Sequence, residues 1–172
     1  MKVIVTGEPG VGKTTLVKGV VRRMKDKVIG FWTEEVRDRR GKRKGFRVVT
    51  TDGRGALFAS KTFTSRYLVG SYGVNIKRFE EVVLPLLERA RREADKVLVI
   101  DEVGKMELFS GKFAELVREL SLDPRRSFLI TIPIRDVHPI VRELRRLPGA
   151  VLIHLTRINR EGMEEEVVKL LT

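Results

Sequence analysis

The sequence predicts a three-layer α/β fold, with a mostly parallel β-sheet, helices on both of its faces and a β-hairpin inserted after the first helix. Three observations lead there. Short β-branched runs, among them residues 97–100 and 128–134, carry no polar alternation, as strands covered on both sides should not. Stretches with apolar residues at helical spacing separate these runs, and such alternation gives parallel strands joined by crossover helices. Two further β-rich runs flank Gly41 and Gly45, the pattern of a hairpin.

Taken in order, residues 2–6 are a β-branched run that ends in a glycine-rich turn. Leu16, Val17, Val20, Val21 and Met24 then recur at helical spacing, which reads as strand, loop, helix. Residues 28–35 and 46–51 form the hairpin, and its tip, residues 37–44, holds six basic residues and faces solvent. Residues 53–73 mix glycine, serine and aromatic residues without a period and receive no assignment. Val82, Val83, Leu86, Leu87 and Ala90 make a second helical stripe ending near Glu93, with Pro85 in its first turn or at a kink. The strand at 97–100 closes on Asp101, an amphipathic helix covers 113–120, and a buried strand covers 128–134. A helix at 140–147, a turn at Pro148 and Gly149, a strand at 150–155 and a helix at 161–171 complete the chain. With no repeat, low-complexity tract or linker, residues 1–172 read as one domain.

At 172 residues, 42% hydrophobic and 34% charged, the chain is long enough for one substantial core. It has no cysteine, which excludes disulfides, thiolate metal sites and cysteine nucleophiles. His138 and His154 are the only histidines, a poor basis for a zinc centre. No stretch approaches the ~18 apolar residues of a membrane span and no secretory leader is visible, so a soluble, cytoplasmic and monomeric protein is expected. The formal charge of +12 attracts phosphates of any kind. Glutamine is missing and only Asn75 and Asn159 represent asparagine. That composition, with its many charges, matches proteins of hot environments and accounts for the basic excess more readily than a nucleic-acid surface does.

Gly7, Glu8, Pro9, Gly10, Val11, Gly12, Lys13 and Thr14 fit G-x-x-x-x-G-K-[ST], the Walker A phosphate loop. The pattern arises by chance in roughly one chain of this length in a few hundred. Here it follows a strand and opens a helix, so main-chain N–H groups and the helix dipole can surround a phosphate. Lys13 would reach the β- and γ-phosphates, the Thr14 hydroxyl would coordinate Mg2+, and Thr15, next in the chain, belongs to the same expected nucleotide-binding set.

Val97, Leu98, Val99, Ile100, Asp101 and Glu102 form a Walker B-like strand that delivers two carboxylates at its carboxyl end, where open α/β sheets bind ligands. Asp101 is the expected metal ligand with Thr14, and Glu102 the group that accepts a proton from an attacking water or orients it. The plainer reading of Glu102 is a turn cap or a partner for a lysine. A kinase acting on an alcohol has less need of a second acid beside the metal-holding one, so the pair favours hydrolysis.

The run Asp101, Glu102, Val103, Gly104, Lys105, Met106, Glu107, Leu108 resembles the nucleoside-triphosphatase family of thermophiles, known also as the cancer-related nucleoside-triphosphatase. The phosphate loop, and Gly30, Phe31, Trp32, Thr33, Glu34, Glu35, Val36 and Arg37 leading to Gly45 and Phe46, extend the likeness over nearly the whole chain. The resemblance implies a P-loop enzyme that uses magnesium to hydrolyse ATP, GTP, CTP, UTP and TTP to the diphosphate and phosphate with little base preference. It implies a RecA-like sheet, in which the 128–134 strand lies between the phosphate-loop and acidic strands and Thr131 senses the γ-phosphate. It also implies that residues 7–14 and 97–104 line the nucleotide site.

Lys105 is a candidate for neutralising charge on the γ-phosphoryl group, with a surface salt bridge to Glu107 as the alternative. Thr156, Asn159 and Arg160 resemble the family's Thr-x-x-Asn-Arg-Asp segment at the base, although Glu161 replaces the final Asp. Asn159 equally suits a helix N-cap, with Glu161 early in the next helix. Trp32 reads as sheet packing rather than a base-stacking residue, Thr33 and Glu34 as a switch-like segment or plain strand, and His138 as a turn residue.

Two other functions fit the same loop. A small-molecule or polynucleotide kinase would need an arginine-rich lid, in which Arg125 and Arg126, or Arg135, could sit, but no glycine-bounded Arg-x-x-x-Arg insertion stands out. A nucleic-acid-binding ATPase module would use the basic hairpin tip, which lacks the aromatic residues that stack on bases.

Overall fold

The computed structural model describes residues 1–172. β1 (Lys2–Thr6) leads through the glycine-rich loop into α1 (Lys13–Met24), and β2 (Val28–Arg37) and β3 (Arg43–Thr50) form the hairpin. β4 (Gly55–Ser60), β5 (Leu68–Val69) and β6 (Tyr72–Val74) extend it, followed by α2 (Ile76–Arg92), β7 (Val97–Ile100), α3 (Gly111–Leu122) and β8 (Phe128–Ile132). α4 (Pro139–Arg145), β9 (Val151–His154) and α5 (Met163–Leu171) close the chain.

One nine-stranded sheet runs in the order β5-β6-β4-β3-β2-β7-β8-β1-β9. From β2 to β9 every pairing is parallel, and from β2 to β5 every pairing is antiparallel. β8 lies between β7 and β1, in register Val99 to Leu129 and Leu129 to Val3, so the phosphate-loop strand and the acidic strand are separated by one strand. The carboxyl ends of β1, β7 and β8 therefore open at the same edge.

Side-chain alternation divides the core in two. Ile4, Leu98, Ile100, Ile130 and Ile132 face α2, α3 and α4, while Val3, Val5, Val97, Val99 and Leu129 face α1 and α5. Phe31, Phe79 and Phe113 meet edge to face with centroids 5.2 to 5.9 Å apart, tying β2 to α2 and α3. Burying each ring contributes about 1.5–3 kcal/mol, enough in sum to fix the sheet edge that carries the acids.

Several boundaries differ from the sequence reading. α2 starts at Ile76 on an Asn75 cap, so Pro85 sits in mid-helix. Pro85 is on the exposed face, where water can satisfy the Glu81 carbonyl that its missing N–H leaves free. Residues 53–73 contain β4, β5 and the start of β6, of which β5 and β6 are too short to show a period. The strands of the hairpin are longer than expected and the turn is confined to residues 38–42. No helix is long and apolar enough to cross a membrane.

Candidate active site

The loop between β1 and α1 is built for an anion. Gly12 caps α1 at φ 114, a left-handed conformation that glycine adopts without penalty. No side chain caps α1 and no acid stands in its first turn. By contrast Asn75, Ser110 and His138 cap α2, α3 and α4, and Glu164, Glu165 and Glu166 open α5. The free N–H groups and positive dipole end of α1 are thus left to an outside acceptor. Glu8, Pro9, Gly10 and Thr15 are exposed around it, Gly7 and Val11 are buried, and Val11 anchors the loop against the α1 and α5 core.

Lys13 is buried and its ammonium bonds the Gly7 carbonyl at 2.9 Å and the Ile132 carbonyl at 3.4 Å. Its third neighbour is Glu102 Oε2, at 2.9 Å. The Asp101 carboxylate is buried, with Oδ2 accepting from the Thr14 hydroxyl at 2.7 Å and Oδ1 from the Thr131 hydroxyl at 2.6 Å. The Asp101 N–H bonds Phe31 O, and the Val103 N–H bonds Thr131 O, so β2 and β8 hold the acidic segment from both sides. The Asp101–Glu102 peptide is cis. Lys13, Thr14, Asp101 and Glu102 thus converge on the mouth of the phosphate loop.

Burial raises the Asp101 pKa to about 6, and the neighbouring Glu102 charge adds to the rise, while bonds from Thr131 and Thr14 and the Lys13 ammonium oppose it. Glu107 is more strongly affected. Burial, then the charges of Glu102 and Asp101, push its carboxyl to about 8, despite the bond it accepts from the Gly104 N–H at 3.1 Å. A Cβ on Gly104 would lie 2.8 Å from Glu102 Oε1 and 2.9 Å from Glu107 Oε1, so the two carboxyls close over this glycine and leave no room for a side chain. Glu107 is neutral at pH 7 on these terms, which lets it approach Glu102 without a second buried negative charge.

The donor set suits magnesium. Thr14 Oγ1 and Asp101 Oδ2, two hard oxygen ligands, lie side by side. No group of three or more His, Cys, Asp or Glu side chains forms an all-protein cage. Magnesium prefers this arrangement, with one or two protein oxygens and the rest of its octahedron from phosphate and water.

Some expected residues play other parts. Val97, Leu98, Val99, Ile100 and Val103 are 0 to 6% exposed and pack into the core, so they carry Asp101 and Glu102 to the site but present no surface to a ligand. Thr131 is likewise buried, its hydroxyl committed to Asp101 rather than free to meet a γ-phosphate. Lys105 is exposed just past the acids and makes no salt bridge with Glu107, whose carboxyl is turned inward to Gly104. Asn159 is not a helix cap. Its side chain bonds the Thr156 N–H and the His154 carbonyl, closing the loop after β9, and α5 instead starts on Gly162 beyond Glu161. Arg160 reaches back over the phosphate loop, with Nη1 3.2 Å from Val11 O and Cδ above Gly12.

Glu34 accepts from the Trp32 indole at 2.8 Å and pairs with Lys18 at 3.0 Å, and the indole bond leads the causes that lower its pKa. The hairpin strand is thereby fastened to α1. His138 Nδ1 accepts from the Ile140 N–H, which makes it the cap of α4. Sequence reasoning missed Arg145 and gave Glu107 only a surface role. For Glu107 the one signal is its place in the contiguous run 101–108, which already carries the two acids of the site. Nothing local marks Arg145, whose partners Thr6 and Pro133 are brought by the sheet.

Comparison with known proteins agrees with this fold. A family model described as NTPase matches residues 2–168. The nucleoside-triphosphatase THEP1 of Aquifex aeolicus is 61% identical over 99% of both chains. The crystal structure of THEP1 from that organism superposes with a TM-score of 0.94 over 99% of both chains, at 60% identity. The solution structure of a human cancer-related nucleoside triphosphatase gives a TM-score of 0.81 and 36% identity over 99% of this chain and 97% of that one.

Proposed function

The chain belongs to the NTPase family, and from that premise we propose that it is a magnesium-dependent nucleoside-triphosphatase with little preference for the base. The observation that carries the reading is the meeting of Lys13, Thr14, Asp101 and Glu102 at the mouth of the phosphate loop, within 2.7 to 2.9 Å of one another in pairs.

The N–H groups at the start of α1 and the Lys13 ammonium hold the β- and γ-phosphates, which fixes the γ-phosphorus at the acidic edge of the sheet. Magnesium, held by Thr14 and Asp101, would neutralise charge on the phosphate oxygens. Glu102 orients a water in line with the γ-phosphorus and accepts its proton. The new P–O bond forms as the bond to the β,γ-bridging oxygen breaks, and the bridging oxygen leaves on the nucleoside diphosphate. Lys13, paired with Glu102 at 2.9 Å, keeps the Glu102 carboxyl group directed at the phosphate mouth.

Weak base selectivity is supported by the segment after β9. The Asn159 side chain already bonds Thr156 and His154, so its amide is oriented by its own loop rather than by a base. The same loop carries Ile158, 94% exposed and apolar. Phosphate contacts, common to every nucleotide, dominate what remains.

The test is phosphate release from ATP, GTP, CTP, UTP and TTP with and without magnesium, for the wild type and Glu102→Gln. Release should need magnesium and vary little with the base, and the substitution should lower turnover by roughly 10² to 10⁴-fold while ATP still binds. A Glu102→Gln enzyme that turns over at the native rate would falsify the assigned role.

A further inference from the structure

Arg145, in the last turn of α4, ties together the two strand ends that hold Lys13. Its side chain is 20% exposed. Nη1 donates to Thr6 Oγ1 at 3.2 Å, Nη2 to the Pro133 carbonyl at 2.6 Å and Nε to Asp136 Oδ1 at 2.9 Å. The Thr6 hydroxyl itself donates to the Pro133 carbonyl at 3.0 Å, so that oxygen uses both lone pairs and the network is closed.

The partners matter because of their neighbours in the chain. Thr6 precedes Gly7, whose carbonyl holds the Lys13 ammonium, and Pro133 follows Ile132, whose carbonyl holds it too. Thr131, one residue further back on β8, bonds Asp101. Arg145 therefore fixes the separation of β1 and β8 one residue from each carbonyl that aims Lys13, and two residues from the hydroxyl that aims Asp101.

We infer that Arg145 is a positioning residue for the phosphate site, acting through Thr6 and Pro133 on Lys13 without touching the nucleotide. Three of its five N–H donors are bonded to protein, one from each nitrogen, and these hold the guanidinium in the plane that joins Thr6, Pro133 and Asp136. A planar fork with donors in fixed directions suits this task, and a lysine, with one ammonium, cannot replace it. The inference rests on the proposed role of Lys13 at the β- and γ-phosphates.

The experiment compares ATP and AMP affinity, by competition with a fluorescent nucleotide, for Arg145→Met and Thr6→Val, each also in a Lys13→Ala background. Arg145→Met should weaken ATP by about tenfold and lower kcat by about as much or more, since small displacements at a reacting centre are costly. AMP, which has no β- or γ-phosphate, should bind within about twofold of wild type. With Lys13→Ala the effect of Arg145→Met on ATP should vanish, because both changes act on one contact. Should Arg145→Met fail to fold, Thr6→Val removes only the bridging hydroxyl and should give the same pattern more weakly, with Thr6→Ser restoring most of it. Equal losses for ATP and AMP, unchanged ATP affinity in both single variants, or additivity with Lys13→Ala would overturn the inference. Absence of phosphate release by the wild type would instead count against the hydrolase reading, and the ATP-to-AMP ratio would still decide the role of Arg145.

Discussion

Glu107→Gln should alter how stability depends on pH more than it alters stability itself. The wild-type carboxyl is 6% exposed, beside Glu102 and Asp101, with its pKa raised from 4.5 to about 8. In the unfolded chain it ionises near its ordinary value, so between those two pH values the folded state binds a proton that the unfolded state has lost. Folding is therefore favoured in full below about 4.5, loses that advantage as pH rises, and has lost all of it above about 8. At roughly 1.4 kcal/mol per pH unit the whole window is worth at most about 5 kcal/mol. Gln keeps the oxygen that accepts from Gly104 N–H and cannot ionise, so the variant should decline less with pH than the wild type, keeping only the smaller fall that Asp101, raised to about 6, contributes. Urea unfolding of both proteins in metal-free buffer at several pH values from 4.5 to 9 measures this directly. The variant should gain a few kcal/mol on the wild type across the series. Parallel curves would refute the claim that Glu107 folds in its neutral form.

Two further substitutions test neighbouring features. Lys105→Ala, which removes an exposed cation beyond Glu102, should lower kcat by roughly tenfold or more with ATP affinity nearly unchanged, as single-turnover and binding measurements would show. Unchanged turnover would leave Lys105 without a part in charge neutralisation. Arg126 is 2% exposed and its Nε and Nη2 find no partner in the protein, and burial lowers its pKa. Its one bond goes to the Ala90 carbonyl, which also accepts from the Glu93 N–H. Arg126→Met should then leave the melting midpoint unchanged or raise stability by about 1 kcal/mol, and a loss beyond about 3 kcal/mol would show that the buried charge is compensated.

The phosphate loop and the acidic run were legible because each is contiguous. A loop of glycines between a strand and a helix, and two acids at the end of an apolar strand, describe their own local geometry, and the alternation of strands and helices then puts both at one edge of a parallel sheet. The short strands β5 and β6 were not legible, since two or three residues carry no period. Pro85 misled the placement of α2 because an exposed proline in mid-helix leaves its unpaired carbonyl to water, and exposure is not written in the spacing.

By itself the sequence determined which groups stand at the phosphate mouth: α1 with its open amino end, Lys13, Thr14, and the two acids after β7. Only the tertiary structure decided how they are held. Thr131 on Asp101, Arg160 over Gly12 and Arg145 between Thr6 and Pro133 join segments far apart in the chain, and Glu107, close to Glu102 in sequence, is neutral because the fold buries it. Their ionisation and bonding depend on burial and on which strands lie side by side, and those quantities come into existence when the sheet closes.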